Sequence, residues 1–432
     1  MAGVDVSADP RPEARTPTLP EQRAPSSDET ELRLPRARAC PLDPPADYQR
    51  LRDIDPVARL AFPDGSHGLL LSRYDDVRSV LADPRVSSAR SLGSNPVRVP
   101  PPEVRDLMRI RPGQFIGMDP PEHTRYRRLL TGRFTVRRMN ALAPRVEQIV
   151  ADHLDAMREM PRPVDLVQAF ALPVPSMVIC ELLGVPYSDR ALFQRRTRAL
   201  LSMTTDGPTI VRVRDEMNDY MLTLVRAKRQ RPEDDLLSGL AGRQDEHGGL
   251  TDEELVNIGN LLLVAGHETT ANMLALGTLA LLSHPAQLAV LRTDPSLVDQ
   301  AVEELLRYLS IVQFGLVRTA TEDLDVHGRP VSAGTPIVAS IASANRDSRQ
   351  FPDADELDVT RRYSPHLAFG HGVHQCLGQQ LARVEMKVGF RALLERFPSL
   401  RLAVPLADVH MRDEMFIYGV HDLPVTWDDD GP

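Results

Sequence analysis

Along most of the chain, hydrophobic residues recur about every three or four positions, the spacing of an amphipathic helix. Two stretches alternate instead. Residues 58–71 read as two short strands around the turn Pro63-Asp64-Gly65, and residues 312–342 alternate around HGRP and SAGTP. The pattern predicts a mainly α protein with a small β region, the α+β class. The clearest predicted helices are YDDVRSVLAD, HTRYRRLLTGRF, RVEQIVADHLDAM, VPSMVICELLGV and RVRDEMNDYMLTLVRAKR.

One predicted helix, over residues 251–285, is far longer than the others. Thr251 and Glu254 form a capping-box pattern at its start, and Pro285 ends it. At about 1.5 Å per residue it would span roughly 50 Å. Its middle is apolar on almost every side, so we expect it to cross the interior. Within that apolar run lies AGHETT, residues 265–270. Buried polar groups cost about 1–3 kcal/mol each unless they are paired, so this segment is a candidate functional site.

Two segments show no hydrophobic period. Residues 1–36 are rich in Pro, Arg, Ser and Glu, which predicts a disordered N-terminal extension ahead of a single domain over residues 37–432. Residues 87–117 are interrupted by Gly and Pro and predict a long loop, which is unusual unless it is functional.

Composition narrows the class of protein. The 432 residues carry a net charge of −9 without long charged blocks, which does not favour nucleic-acid binding. Three scattered cysteines fit a reducing compartment better than a disulfide framework. No stretch approaches the about 18 apolar residues of a membrane span, and no signal-peptide pattern is visible. We therefore expect a cytoplasmic protein that does not enter a membrane.

Residues 369–378, FGHGVHQCLG, concentrate candidate chemistry around Cys376. The ordinary interpretation is that Cys376 is a small buried hydrophobic residue. A second is a zinc site with His371 and His374, although no second Cys-rich or His-rich cluster supplies the remaining ligands. A third is a haem iron held by one thiolate.

The third interpretation accounts for more of the segment. Gly370, Gly372 and Gly378 let the backbone turn tightly and approach a flat macrocycle without side-chain clashes. Phe369 can shield the sulfur, and backbone N–H groups of the loop can donate to it. An amphipathic helix, LGQQLARVEMKVGFRALLERF, follows directly, and its positive N-terminal end would stabilise a thiolate.

This segment matches the haem-binding signature Phe-Gly-x-Gly-x-His/Arg-x-Cys-x-Gly of the cytochrome P-450 family at every defined position. Three more segments resemble family motifs in the same order: HTRYRRL, AGHETT and EELLR. The resemblance covers about residues 40–428 and is strongest to soluble actinobacterial monooxygenases. It implies a triangular helical domain, with haem b between the long central helix and the helix after the cysteine loop.

The resemblance also implies site residues. Cys376 would be the axial iron ligand, whose electron donation favours O–O cleavage. Glu268 and Thr269 would be the acid–alcohol pair that delivers protons during oxygen cleavage. The other residues that would contact the haem or its propionates are His123, Arg127, Ala265, Arg318, Phe369, Gly370, His374 and Gly378.

Alternatives remain beside these roles. Thr269 could simply donate to the carbonyl one helical turn back, a common arrangement. Gly266 weakens the helix by about 1 kcal/mol and could allow a local opening. Glu304 and Arg307, three positions apart, could be an ordinary surface ion pair. The resemblance adds Arg361 to them and makes a buried network that braces the cysteine loop.

No flavin or nicotinamide fingerprint is present, so electrons must come from partners, which the family resemblance identifies as ferredoxin and ferredoxin reductase. A cluster of arginines, Arg125, Arg128, Arg133, Arg137 and Arg138, is the candidate docking surface.

The substrate segments implied by resemblance are largely apolar, so we expect a hydrophobic small molecule, polyketide- or macrolide-like or another secondary metabolite, hydroxylated or epoxidised by a monomeric enzyme. The predicted lining comprises residues 87–117, 190–215, Leu261, Leu262, Ala265, 312–317 and 415–420. Two alternatives stay open. One is a peroxide-driven peroxygenase, which tends to lack the acid–alcohol pair, and the other is a haem-binding sensor without catalysis.

Overall fold

The computed structural model describes residues 31–89, 95–104, 107, 109–245, 248–362 and 365–428. Most of the predicted N-terminal extension, residues 1–30, lies outside these ranges. The compact unit begins at Leu32, before the predicted boundary after residue 36. The carbonyl oxygen of Leu32 accepts the Ala61 N–H at 2.9 Å, and Leu34 is buried in an apolar cluster with Leu60. The segment from Leu32 onward is therefore part of the folded unit.

Helices make up most of the described chain. They are α1 Asp47–Ile54, α2 Tyr74–Ala82, α3 Glu122–Thr131, α4 Val136–Ala141, α5 Ala143–Arg158, α6 Pro173–Leu183, α7 Arg190–Leu201, α8 Gly207–Gln230, α9 Leu236–Ala241, α10 Asp252–Ser283, α11 Pro285–Thr293, α12 Val298–Leu309, α13 Ile341–Ala344 and α14 Gln379–Arg396. The predicted helices are present, and the predicted loop at residues 87–117 contains only short turns of helix in its described part.

The strands are short. They are β1 Val57–Ala61, β2 His67–Leu71, β3 Val86–Ser87, β4 Val164–Asp165, β5 Gln244–Asp245, β6 Gly248–Gly249, β7 Leu316–Ala320, β8 Leu324–Val326, β9 Arg329–Val331, β10 Pro336–Ala339, β11 Arg401–Leu402 and β12 Pro424–Thr426. The main sheet has the order β1-β2-β10-β7-β3, and β11-β12-β4 form a second sheet. This is the predicted α+β class.

The long helix α10 is the centre of the fold. Thr251 caps it: its side chain accepts the Glu254 N–H at 3.2 Å, while the Glu254 carboxylate accepts the Thr251 N–H at 2.7 Å. Every residue from Ala271 to Leu281 is buried, because α6, α8, α12 and α14 surround the helix. Such all-round burial explains why its sequence is apolar on every side.

Two close approaches show how the neighbouring helices pack on α10. A Cβ at Gly277 would lie 2.6 Å from the ring of Phe390 on α14, and a Cβ at Gly266 would lie 2.7 Å from Ile179 on α6. Helix α10 is continuous through Gly266, so the expected local opening is not present. The glycine instead lets α6 approach closely.

No single helix in the described ranges is long and apolar enough to cross a membrane, although the bent pair α10 and α11 would pass by length and composition together.

Candidate active site around Cys376

The cysteine loop is a tight turn held by its own backbone. The N–H of Cys376 donates to the carbonyl oxygen of Phe369 at 2.9 Å, closing the loop ahead of α14. Gly370 and Gly372 have φ of 70° and 73°, a region that other residues rarely adopt. A Cβ at Gly372 would also lie 2.4 Å from the carbonyl oxygen of Leu81. The glycines at positions 370 and 372 of the signature are therefore required by this turn.

Gly378 differs from the other two glycines. Its φ is −84°, so the backbone here does not require glycine. A Cβ at this position would have no protein atom within 4 Å. The turn itself therefore does not require glycine at this position, and the expected close approach of a flat macrocycle on the open side of Gly378 stays a prediction.

The Cys376 side chain is exposed, although many protein atoms lie around it. Burial raises the pKa of its thiol, while the backbone N–H groups of Gly378 and Gln379 and the charges of Arg127 and Arg383 act in the opposite direction. Two N–H groups at the start of α14 therefore face the sulfur, an arrangement that stabilises a thiolate. This local chemistry fits a single thiolate ligand better than an inert buried cysteine.

The zinc alternative lacks ligands. Within the described part of the chain, no group of three or more His, Cys, Asp or Glu side chains is placed to hold a metal ion. His371 and His374 therefore do not complete a zinc site with Cys376.

Basic side chains from different elements converge beside the loop. The rings of His123 on α3 and His374 lie 4.2 Å apart. Burial, followed by the charges of His123 and Arg318, lowers the pKa of His374 to about 4. Arg127 also comes from α3, and its Nη2 donates to the Gln375 carbonyl oxygen at 2.7 Å. Three chain segments thus bring the four predicted anchors, His123, Arg127, Arg318 and His374, into one region.

His123 supplies the clearest test of whether this region suits an anionic group. Its side chain is 2% exposed, and neither ring nitrogen has a hydrogen-bond partner in the structure. Burial, followed by the charge of Arg127, lowers its pKa. Buried imidazole nitrogens without partners are costly, and a carboxylate such as a haem propionate would accept from the nitrogen that carries the hydrogen. The residues present therefore fit a haem.

The AGHETT segment lies in the middle of α10. Ala265 is exposed and Thr269 is half-buried, so this face of the helix borders accessible space. The Thr269 hydroxyl donates to the Ala265 carbonyl oxygen at 2.8 Å, which is the alternative arrangement considered from the sequence. That bond uses the hydroxyl hydrogen and leaves the oxygen lone pairs able to accept. His267 is fully buried and packs edge-on against Phe193.

Sequence reasoning missed the partner of Glu268. The carboxylate is 3% exposed and is paired with Arg412, which is itself 6% exposed. A carboxylate in an apolar helix signals that some cation must reach it. The chain has 49 arginines, since 51 basic residues include only Lys228 and Lys387, so the sequence does not identify which one.

The structure also brings together several of the predicted substrate-lining segments. Isolated β-bridges pair Ser202, just after α7, with Met415, and Val312 with Ile417. The rings of Phe314 and Phe416 lie 6.2 Å apart. The segments 190–215, 312–317 and 415–420 therefore meet.

The predicted Glu304–Arg307–Arg361 network is present, with Glu304 and Arg307 buried and Arg361 half-buried. Arg307 Nε lies 2.7 Å from one carboxylate oxygen of Glu304, and Arg361 Nε lies 3.1 Å from the same oxygen. Arg307 also donates to the carbonyl oxygens of Asn345 and Ala354. These bonds tie α12 to the segment that leads to the cysteine loop, so the surface-pair interpretation is wrong.

One member of the predicted docking cluster has another contact. Arg125 Nη1 lies 2.5 Å from Glu254, the capping-box residue of α10. Arg128, Arg137 and Arg138 are exposed, and α4, which carries the last two, packs against α14. Arg125 is therefore engaged within the fold, and Arg128, Arg133, Arg137 and Arg138 remain as the predicted docking cluster.

Comparison with known proteins agrees with this geometry. The family model for Cytochrome P450 matches residues 196–421. Cytochrome P450-SU2 of Streptomyces griseolus is 47% identical over 410 residues, covering 95% of this chain and all of that protein. Pentalenic acid synthase of Streptomyces avermitilis is 45% identical, covering 91% of this chain and 97% of that protein.

Among solved structures, CYP105P1 in complex with filipin I has a TM-score of 0.87 at 42% identity, covering 93% of this chain and all of that one. The chain therefore belongs to the cytochrome P450 family and is a monooxygenase of the bacterial type.

Proposed function

We propose that this enzyme inserts one oxygen atom from O2 into a hydrophobic secondary metabolite, by hydroxylation or epoxidation, with haem b as cofactor and ferredoxin as electron donor. The observation that carries the proposal is the Cys376 sulfur, which is accessible and faced by the Gly378 and Gln379 N–H groups. Burial raises the pKa of this thiol, and the two N–H groups would stabilise its thiolate form against that effect once it holds the iron.

Haem, when bound to a thiolate, supplies the reductive activation of O2. The chain's own residues do the rest. Cys376 would hold the iron, Phe369 would cover the sulfur, and His123, Arg127, Arg318 and His374 would bind the propionates. Ala265, Gly370 and Gly378 would allow the macrocycle close approach, because their side chains are small.

Proton delivery is assigned to α10. The Thr269 oxygen can accept a hydrogen bond from water while its hydrogen is engaged with Ala265, and Glu268 can hold a proton one residue away. In the alternative, Thr269 only stabilises the helix. Removing its hydroxyl would then leave the amounts of O2 and electrons used per product unchanged.

The proposed substrate class rests on the residues predicted to line the substrate pocket and on the compounds named with similar proteins. Segments 312–317 and 415–420 supply mostly apolar side chains, and apolar pockets select hydrophobic ligands. One relative is named for pentalenic acid, and one neighbouring structure contains filipin I. A terpenoid or polyketide scaffold is therefore the first class to test.

Electrons would come from a ferredoxin, itself reduced by a ferredoxin reductase, in the cytoplasm. The docking surface would include exposed Arg128, Arg137 and Arg138 and would suit an acidic partner. The enzyme would act as a monomer.

The test uses purified holoenzyme. The wild type should bind haem, show the red-shifted thiolate CO band when reduced, and form product with NADH, ferredoxin reductase, ferredoxin and a panel of terpenoids and polyketides. Cys376→Ser should lose the band and the product, whereas Cys40→Ser should keep both. A protein without haem, or a Cys376→Ser variant that retains the band, would overturn the proposal.

The same assays separate the alternatives. A peroxygenase would form product from hydrogen peroxide as fast as from the ferredoxin system. A sensor would bind haem and show no substrate-stimulated oxygen uptake.

A further inference from the structure

The guanidinium of Arg412 contacts two side chains of α10, those of Glu268 and Asn272. Arg412 Nη2 donates to Oε1 of Glu268, and Nη1 donates to Oδ1 of Asn272 at 3.0 Å. Asn272 in turn donates from Nδ2 to the Glu268 carbonyl oxygen at 2.7 Å. One guanidinium thus holds two side chains that are four positions apart on one face of the helix.

Only one carboxylate oxygen is used in this way. Oε2 of Glu268 lies 3.8 Å from Nε2 of His267, beyond hydrogen-bond distance. Nδ1 of that histidine lies 2.7 Å from the Leu263 carbonyl oxygen, and burial lowers the pKa of its imidazole. Arg412 therefore provides the strongest constraint on the orientation of this carboxylate.

Arg412 is carried by a hairpin, residues 411–420, that docks directly on α10. Its N–H donates to the Gly419 carbonyl oxygen at 3.0 Å, and Met411 pairs with Val420. A Cβ at Gly419 would lie 1.9 Å from Oδ1 of Asn272. Since no other side chain fits that space, glycine is required for the hairpin to bring Arg412 to the helix.

The same hairpin belongs to the proposed substrate wall. Nε2 of Gln313 donates to the carbonyl oxygens of Arg412, at 3.3 Å, and of Met415. The N–H of Phe416 donates to the Leu201 carbonyl oxygen at 2.9 Å. A displacement of the wall would therefore be transmitted to Arg412 through backbone hydrogen bonds.

We propose that Arg412 is a positioning residue that sets the orientation of the Glu268 carboxylate for proton delivery, and that the 411–420 hairpin couples this orientation to the substrate wall. The inference rests on the proposed function, because it assigns Glu268 to proton delivery. Arg412 itself transfers no proton, since a guanidinium stays protonated. Its action is to fix where the carboxylate lies.

The first experiment measures the fraction of the electrons from NADH that is used to form product. In holoenzyme of equal haem content, Arg412→Gln should lower product formed per NADH about tenfold and raise peroxide, because a misplaced proton donor is a poor one. Arg412→Lys, which keeps the charge, should recover part of the loss. Gly419→Ala, which displaces the hairpin without touching the charge, should reproduce the loss.

The control removes another buried cation. Lys228 Nζ lies 2.7 Å from Oδ2 of Asp235 in a pair at the end of α8, and both side chains are buried. Lys228→Met should lower the melting temperature and leave product per NADH unchanged. If it lowered the product yield as much as Arg412→Gln, the effect of Arg412 would be one of general stability and the inference would be overturned.

A second readout needs no turnover. Thermal unfolding of Glu268→Gln, Arg412→Gln and the double variant forms a cycle. Arg412→Gln should lower the melting temperature by at least about 3 °C, because it leaves a buried carboxylate unpaired, and the double variant should lose less than the sum of the singles. Additive shifts would show that the pair is not coupled and would overturn the inference.

The outcomes separate the two proposals. Coupled unfolding with an unchanged product yield in Arg412→Gln would leave the monooxygenase assignment intact and overturn the positioning role. A wild type that binds no haem or forms no product with ferredoxin would overturn both, and the unfolding cycle would then report a purely structural pair.

Discussion

Arg127 Nη2 lies 2.7 Å from the carbonyl oxygen of Gln375, the residue before Cys376. This bond joins α3 directly to the cysteine loop. The positive charge of the same guanidinium also interacts with the Cys376 sulfur, and the guanidinium lies beside His123 and His374. One side chain thus supports the loop and contributes to the proposed propionate site.

We expect Arg127→Gln to lower the ratio of haem to protein and to weaken the red-shifted CO band, because it removes a loop hydrogen bond and a charge worth about 1.5–3 kcal/mol together. Pyridine haemochrome analysis measures the ratio. Arg128→Gln, at the exposed neighbouring position, is the control. Equal haem content in both variants would contradict the role of Arg127.

Thr269→Ala should divert electrons from product to peroxide, lowering product per NADH by at least about tenfold, since the water that Thr269 would hold for proton delivery is no longer positioned. Thr269→Ser keeps the hydroxyl and should stay close to the wild type. If Ala and Ser variants lose product equally, the methyl group and helix packing matter, and the hydroxyl does not.

Breaking the Glu304 network should be costly for folding. Glu304 is 3% exposed and accepts from Arg307, Arg361 and the Asp358 N–H. We expect Glu304→Gln to lower the free energy of unfolding by about 3–5 kcal/mol, because the buried Arg307 and the half-buried Arg361 lose their counter-ion. Denaturant titration measures it.

The exposed pair Arg212–Glu216 provides the comparison for that variant. Glu216→Gln should cost less than about 1 kcal/mol, since solvent screens exposed ion pairs. Similar costs for the two variants would mean that the Glu304 network does not brace the fold.

Acid stability should depend on Glu303. Burial alone would raise its pKa, but hydrogen bonds from His366 and Arg383 and their charges outweigh burial and lower the pKa to about 2 from its ordinary value of 4.5. A depressed carboxyl pKa stabilises the folded state above the unfolded-state pKa, and this contribution is lost as the pH falls towards about 2.

The measurement compares the free energy of unfolding of wild type and Glu303→Gln between about pH 6 and pH 2. The difference should be on the order of 2 kcal/mol at pH 6 and should shrink below about pH 4.5. A difference that stays constant across this range would show that the Glu303 carboxylate contributes nothing through its ionisation.

Reversing charge on α4 should weaken ferredoxin docking. Arg137→Glu/Arg138→Glu should raise the ferredoxin KM about tenfold and flatten its dependence on salt, because rim charges act on encounter and are screened. The control Arg50→Glu/Arg59→Glu makes the same change in net charge at other exposed positions. If both double variants behave alike, docking depends on net charge and not on α4.

Much of the architecture can be predicted from residues that are close together in the sequence. The capping box of Thr251 and Glu254 fixes the start of α10, and all-round apolarity predicts that this helix is buried, since both follow from near neighbours in sequence. The cysteine loop can be predicted in the same way, because the backbone conformations that require glycine at Gly370 and Gly372 lie within a few residues of Cys376.

The remaining relationships were decided by packing. Arg412 and Glu268 are 144 positions apart, and nothing local marks that arginine among the others. Glycine at position 266 makes room for Ile179, and Arg125 forms an ion pair with Glu254. The sequence by itself determined the helices, the turn around the sulfur and the need for a cation near a buried carboxylate. Which cation meets it was decided by the tertiary structure, because desolvation makes such pairing compulsory while only the folded chain brings distant segments within hydrogen-bond distance.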